Sequence, residues 1–415
     1  MSRIVDFNNM FSSSGGGVRT YHLKKLDFFS RRYDFDYTLI IPSAENSTEE
    51  HGNARIIYLK SPSIPGTVNY RMFLNPFRLE SILRDLDPDL IEAGGPYIDP
   101  FLIRYAARRL DAVVTGFWHT HYPDAYLKSI GNAVSRGTGD FLQKLGWKAA
   151  RKTYGWYDAT FAASDCIINQ LLDEDIGRII QIPLGVDTDL FCPVKRSTEL
   201  RRSVGAEKRK LVFFPHRLLK EKGILEVVEA VPRILKEVDA VFVFAGTGPE
   251  LPHVEDLCDR IPDCHYIGFI DSAIEMARWY ASSDMIYGLS AWETFGFSII
   301  EAMASGVPLV VADMGAANDW IARAGCGLSI PHGDADAVVD ASVSLLKRSD
   351  LERMGMCGRR YVVRNLSWEI TFSRMVEYYT RLINAHKSGH SLDGYPRLFR
   401  ETAASGVIDE TCMVY

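Results

Sequence analysis

The sequence predicts an α/β protein built from two doubly wound domains in tandem, and three observations carry that prediction. Strand-like runs alternate with helical runs over residues 4–117, the alternation breaks near residues 182–197, and it restarts over residues 211–312. At 415 residues the chain exceeds what one hydrophobic core usually holds, so two cores are expected, and a 47% hydrophobic fraction can supply both. Strands that alternate with helices read as a parallel sheet covered on both faces.

In the first half, a strand over residues 4–7 leads through Asn8-Asn9 and a serine-glycine run ending in Gly15-Gly16-Gly17 to helical periodicity over residues 18–29. Further strand runs fall at residues 37–41, 55–59, 90–92 and 113–117, with helical runs at 76–86 and 100–110. The polar connection after Pro183-Leu184-Gly185-Val186-Asp187 marks a boundary, giving domains of residues 1–190 and 191–368. The second domain repeats the alternation: strand 211–214, helix 223–236, strand 240–245, the turn Gly246-Thr247-Gly248 and helix 249–260. It continues with strand 265–267, helix 273–282, strand 285–288, helix 298–304 and strand 308–312. An amphipathic helix over residues 369–384 is expected to return to the first domain, and residues 385–415 read as weakly structured. Two such domains would face each other across a cleft, and open α/β sheets take ligands at the carboxyl ends of their strands.

Composition narrows the partners. A net charge of -6, a pI near 6.0 and the lack of any Lys/Arg run exclude a general attraction to nucleic acid. The seven cysteines are scattered, with no Cys-x-x-Cys spacing, and read as reduced thiols rather than a zinc site. The N-terminal run is too polar for a signal peptide and no window approaches a membrane span, so a cytoplasmic protein is expected.

The most informative stretch is residues 291–308, in which Glu293 and Glu301 frame a turn at Gly296 that opens a helix. Helix amides and the helix dipole suit a phosphate, and carboxylates accept hydrogen bonds from sugar hydroxyls, so an anionic ligand bearing hydroxyls, a nucleotide-sugar, fits. Two solvated surface glutamates are the plain alternative. The apolar run between them, Phe295, Phe297, Ile299 and Ile300, counts against it. Arg217 and Lys222 follow the first strand of the second domain and could neutralise a diphosphate as it leaves, whereas Lys220 reads as solvated. The glycine run permits close ligand approach but lacks the G-x-G-x-x-G spacing of a dinucleotide site. His119 and His121 close the strand at residues 113–117, and side chains two apart on an extended segment cannot easily share one metal ion.

Together these residues resemble glycosyltransferase family 4, retaining enzymes of the GT-B fold with two Rossmann-like domains. The resemblance runs over residues 4–382 and rests on Gly15-Gly16-Gly17, His119, residues 183–187, Arg217 with Lys222-Gly223, Gly246-Thr247-Gly248 and the E-x7-E pair Glu293 and Glu301. It implies that Gly16 and Gly17 cup the distal donor phosphate and that Arg217 and Lys222 bind the diphosphate. It further implies that Glu293 contacts the transferred sugar near the amides of Phe295 and Gly296, that Glu301 holds the ribose, and that His119 lies beside the sugar. Gly246 belongs to the donor-binding set. Neither an essential metal nor another cofactor is implied, and no dedicated base is needed if the leaving phosphate takes the acceptor proton. Departures are His216 where the family commonly has glycine, Leu184 in place of asparagine, and residues 315–320 in place of Gly-Gly-x-x-Glu.

The reaction so implied moves a hexosyl unit from a UDP- or GDP-type sugar to a saccharide or lipid-linked hydroxyl, in polysaccharide or glycolipid synthesis. Residues 61–66 and 119–123 look similar to sulfoquinovosyl- and mannosyl-transferring members. Residues 141–157 mix basic and aromatic side chains, as a peripheral helix at the cytoplasmic membrane face would, or as a helix packed on the first domain would. A nucleotide-sugar epimerase or glycosyl phosphorylase of the same architecture, or a non-catalytic sugar-nucleotide sensor, are the rival readings.

Overall fold

Strands such as Ala240–Ala245 and Leu309–Ala312 are buried at every position, as a sheet covered on both faces requires. The computed structural model describes residues 1–12, 16–65, 67, 69–389 and 398–399; Gly15, Gly66 and most of the stretch from residue 390 onward lie outside the described residues. Two compact units result, one from Met1–Leu184 with the described part of Trp368–Ala403, the other from Gly185–Ser367.

The first unit contains, in order, β1 (Ser2–Phe7), α1 (Gly17–Ser30), β2 (Phe35–Ser43), β3 (Ser47–His51), β4 (Ala54–Lys60), α2 (Pro76–Leu86), β5 (Leu90–Ala93) and α3 (Asp99–Ala106). It continues with β6 (Val113–Phe117), α4 (Lys128–Asn132), α5 (Arg136–Tyr154), β7 (Ala159–Ala162), α6 (Asp165–Asp173) and β8 (Ile179–Gln181). The second unit contains α7 (Thr198–Ser203), β9 (Lys210–Pro215), α8 (Ile224–Ile234), β10 (Ala240–Ala245), α9 (Leu251–Arg260), β11 (Cys264–Tyr266), α10 (Ala273–Ser282) and β12 (Met285–Gly288). It ends with α11 (Phe297–Ala304), β13 (Leu309–Ala312), α12 (Ala316–Ala324), β14 (Gly327–Ile330), α13 (Ala335–Leu346) and α14 (Leu351–Asn365), after which α15 (Trp368–Lys387) and β15 (Leu398–Phe399) belong again to the first unit.

The first sheet has the order β15-β8-β7-β6-β5-β1-β2-β4-β3, parallel except that β3 runs antiparallel to β4, and the second has the fully parallel order β11-β10-β9-β12-β13-β14. Strand order reverses beside β1 in one and beside β9 in the other, which is where loops at the carboxyl ends separate and make room for a ligand. The exposed, charged β3 ends its sheet as a poor template for further pairing.

The unit boundary falls after Leu184, six residues before the expected one. The Val186 amide donates to the Leu366 carbonyl at 2.8 Å, and the Arg359 guanidinium reaches the Thr188 and Phe191 carbonyls, each at 2.8 Å. These bonds tie residues 185–191 to the second unit. The last helix extends to Lys387, three residues past its expected end.

A buried charge cluster fastens α1 and α15 to the first sheet. Lys25 on α1 is fully buried and donates from Nζ to Asp6 on β1 and to Glu92 on β5, both at 2.8 Å. The Tyr37 hydroxyl donates to Asp6 at 2.9 Å, and from α15 the Tyr379 hydroxyl donates to Glu92 at 2.5 Å. Burial alone would raise the Asp6 pKa, but the charges of Lys25 and His22 reverse it and hold the carboxyl below its ordinary range. Burial likewise opposes the Lys25 charge, and Asp6 with Glu92 outweighs it, so the ammonium persists.

Breaking a buried pair from one side leaves an uncompensated charge, so Lys25→Met should destabilise the first unit by about 3–5 kcal/mol. Tyr379→Phe, which removes one hydroxyl donor, should cost about 1–3 kcal/mol. Urea denaturation followed by tryptophan fluorescence measures both, and a Lys25→Met variant as stable as the parent would contradict this reading of the cluster.

Candidate active site

Parallel neighbours deliver their loops to the same end of the sheet. β9 runs into Pro215-His216-Arg217, β10 into Gly246-Thr247-Gly248, and β12 into the segment ending in Glu293. Because β9 lies between β10 and β12, these three loops meet.

His216 joins them. Its Nε2–H donates to the Tyr287 carbonyl at 2.6 Å, and its Nδ1 accepts from the Ser298 hydroxyl at 3.4 Å, so one ring proton satisfies both contacts. Burial and then the nearby Lys222 charge bring its pKa down to about 4, leaving the ring neutral near pH 7. The backbone beside it is equally constrained. Gly246 has φ +133°, and a Cβ there would stand 2.1 Å from the His216 carbonyl oxygen, so this crossing admits only glycine.

Lys222, at the end of the turn Lys220–Lys222, donates from Nζ to Glu293 Oε1. The two side chains are 16% and 19% exposed, so the pair is shielded but reachable. Burial pushes the Glu293 carboxyl up, and the Lys222 charge and hydrogen bond more than offset it, keeping Glu293 ionised. Helix α12 fixes the following turn: the Ala316 amide donates to the Glu293 carbonyl at 3.0 Å and Trp320 Nε1–H to the Phe295 carbonyl at 2.7 Å. Gly296, at φ +81°, then starts α11, and its carbonyl accepts from the Ile299 and Ile300 amides at 3.0 and 3.1 Å. The positive end of α11 thus stands next to an ammonium and a carboxylate, an arrangement suited to an anion that also carries hydroxyls.

Glu301 behaves differently from Glu293. It accepts from the Tyr280 hydroxyl and has no cation beside it; burial drives its pKa to about 8, only partly countered by Tyr280. Tyr280 is itself pushed up by burial, by Glu301 and by the more distant Glu293. Arg217 lies at the margin, 66% exposed, with its guanidinium 3.5 Å from Glu221.

The remaining sequence-predicted residues lie in the first unit. Gly16 caps α1 at φ 92° and Gly17 is its first helical residue. The His119 ring stacks on Phe117 at 4.2 Å between centroids and lies 4.9 Å from Tyr21; burial, then the His22 charge, hold its pKa well below the ordinary value. His121 is buried instead toward Asp124, at 3.2 Å, and packs against Trp147. The two histidines therefore serve separate surroundings. Among the described residues no group of three or more His, Cys, Asp or Glu side chains could hold a metal ion.

The structure thus brings Lys222, Glu293 and Gly246 close to His216, sets Phe295 and Gly296 in the turn that follows Glu293, and places Glu301 farther along α11. His216, Tyr280 and Trp320 do the holding, and sequence reasoning did not select them. His216 and Trp320 did stand out as departures from a family pattern, which was the available signal.

Two family models match the chain, one described as glycosyl transferases group 1 over residues 196–360 and one as glycosyltransferase family 4 over residues 15–190. A GDP-mannose-dependent alpha-mannosyltransferase of Corynebacterium glutamicum is 27% identical over 386 residues, covering 92% of this chain and 89% of the relative. A sulfoquinovosyl transferase of Arabidopsis thaliana is 30% identical over 335 residues, covering 78% and 63%. Among solved structures, a sucrose-phosphate synthase from Thermosynechococcus elongatus superposes with a TM-score of 0.74 at 18% identity, covering 93% of this chain and all of the other, a likeness of fold.

The raised Glu301 pKa predicts a pH signature. A carboxyl that stays protonated in the fold contributes stability that is complete below its ordinary value of 4.5 and is lost as pH rises through about 8. Glu301→Gln, which cannot ionise, escapes that loss. Its melting temperature relative to the parent should climb between about pH 5 and pH 8.5 by scanning fluorimetry, and a flat difference would refute the assignment.

Proposed function

As the chain belongs to glycosyltransferase family 4, with the GT-B fold and hexosyltransferase activity, we propose that it transfers a hexosyl unit with retention from a nucleotide diphosphate sugar to a saccharide or lipid-linked hydroxyl. The observation that carries this reading is the Lys222–Glu293 pair at the start of α11. Lys222, with Arg217 at the rim, neutralises the diphosphate, and the α11 amides share that charge. Glu293, kept ionised, accepts from hydroxyls of the transferred sugar, with Phe295 and Gly296 forming the adjoining backbone. Glu301 meets the ribose, and Gly246 lets the donor come close to the backbone.

In the reaction, the bond from the anomeric carbon to the leaving phosphate breaks while a bond to the acceptor oxygen forms on the same face. The acceptor proton passes to the departing phosphate oxygen, so no separate base is required. As Lys222 is already held by Glu293, its charge is in place before the donor arrives, which is the advantage of a preorganised site. A GDP-sugar is the favoured donor over a UDP-sugar, supported by the mannosyltransferase named above. The first unit holds the acceptor, and glycolipid or polysaccharide synthesis at the cytoplasmic side is the proposed setting.

A thermal-shift panel of GDP-, UDP-, ADP- and dTDP-sugars tests the donor reading. A donor at a hundred times its dissociation constant should stabilise the fold by about 2.7 kcal/mol, and no shift with any of them would overturn the site. Glu293→Gln should lower turnover by about a hundredfold or more while melting within a few degrees of the parent; parental rates would contradict the role given to Glu293.

A further inference from the structure

Helices α4 and α5 form a hairpin on the first unit whose two faces differ in kind. The inner face of α5 is core: Trp147, Tyr154 and the following Tyr157 are buried, and the Trp147 ring stacks on Trp118 at 5.6 Å. Of the aromatic residues that suggested a surface-lying helix over residues 141–157, Trp147, Tyr154 and Tyr157 are therefore consumed in packing, whereas Phe141 is not. The helices approach so closely that a Cβ on Gly131 would stand 2.6 Å from the Gly139 Cα.

The outer face carries exposed apolar side chains. Ile130, Val134, Phe141 and Leu145 are 63%, 79%, 65% and 51% exposed, and Tyr126 is 49% exposed. Four large apolar side chains on one helical hairpin are a marked feature for a surface, since exposed apolar residues normally occur singly. Phe141 and Leu145 are one turn apart on α5, and Lys144 and Lys148 are exposed on the same side. Residues 128–152 carry six lysine or arginine residues against one acid, Asp140, within a chain of net charge -6. This hairpin is thus both apolar and basic in an otherwise acidic protein.

We propose that the outer face of the α4–α5 hairpin docks on an anionic lipid surface, with Ile130, Val134, Phe141 and Leu145 entering the acyl boundary and Lys128, Arg136, Lys144 and Lys148 meeting the headgroups. Charge complementarity selects this occupant: a second copy of an acidic chain would bring the same basic hairpin against itself, whereas apolar tips ringed by cations match a negatively charged interface. Among the described residues no helix is long and apolar enough to cross a membrane, so the contact is peripheral. The inference deepens the lipid-linked arm of the proposed reaction, because an enzyme held at a lipid surface meets acceptors that do not leave it.

Co-sedimentation with phosphatidylcholine vesicles, with and without phosphatidylglycerol, reads the proposal without any turnover, so its failure is separable from that of the donor site. The full chain should bind the phosphatidylglycerol vesicles, lose binding as salt rises, and ignore the neutral ones. Ile130→Ser with Phe141→Ser should weaken binding by about tenfold or more, and Lys144→Glu with Lys148→Glu by a comparable factor. Both variants should melt like the parent, as all four positions are exposed. Equal binding to both vesicle types, or parental binding by both double variants, would overturn the proposal. So would a dimer in solution that Phe141→Ser dissociates, because the apolar face would then belong to a second copy.

Discussion

Burying an ammonium requires carboxylates within hydrogen-bonding distance, and each unit of this protein is arranged around one lysine that meets that requirement. In the first unit Lys25 is sealed between Asp6 and Glu92, drawn from two adjacent strands, and tyrosine hydroxyls donate to the same two carboxylates. A helix from the far end of the chain supplies one of those hydroxyls, so the cluster also explains why α15 belongs to this unit. In the second unit Lys222 meets a single carboxylate, Glu293, and the pair is only partly shielded. The difference in exposure separates a sealed structural cluster from a pair that solvent can reach.

Preorganisation in the second unit comes from the parallel sheet and from a few buried side chains that bond to the loops. β9, β10 and β12 present their loops at one end, and His216 ties the loop after β9 to strand β12 and to the start of α11. Its lowered pKa keeps it neutral, which matters because a charged ring beside Lys222 would work against the pairing with Glu293. Trp320 and the Ala316 amide fix the carbonyls on either side of the turn. The transfer reaction proposed for the site needs this stiffness, since stabilising a leaving diphosphate depends on charges that do not have to move.

Much of the architecture was legible because its signal is periodic. The apolar runs of β1, β9, β10 and β13 lie where the sequence placed them, since strands buried on both faces read as uninterrupted apolar stretches. β3 escaped notice because Ser47–His51 is an exposed edge with no alternation to detect, and β7 and β8 were not read from the sequence either. The Lys25 cluster was hidden for a related reason. Tyr21, His22 and Lys25 sit on the inward face of α1, where polarity argues for the outside until partners on β1, β5 and α15 are known. At the site, the spacing of Glu293 and Glu301 was readable, but their chemical inequality was not. It depends on Lys222, 71 residues earlier, and on Tyr280, 21 residues earlier, neither of which leaves a local trace.

The central claim is that the second unit binds the nucleotide part of its substrate between the loop after β9 and the start of α11. Amide hydrogen exchange of the full chain, with and without saturating guanosine diphosphate, addresses it directly. The account predicts slowed exchange confined mainly to residues 216–223 and 289–301. Nucleotide binding accompanied by protection elsewhere, with these segments unchanged, would contradict it.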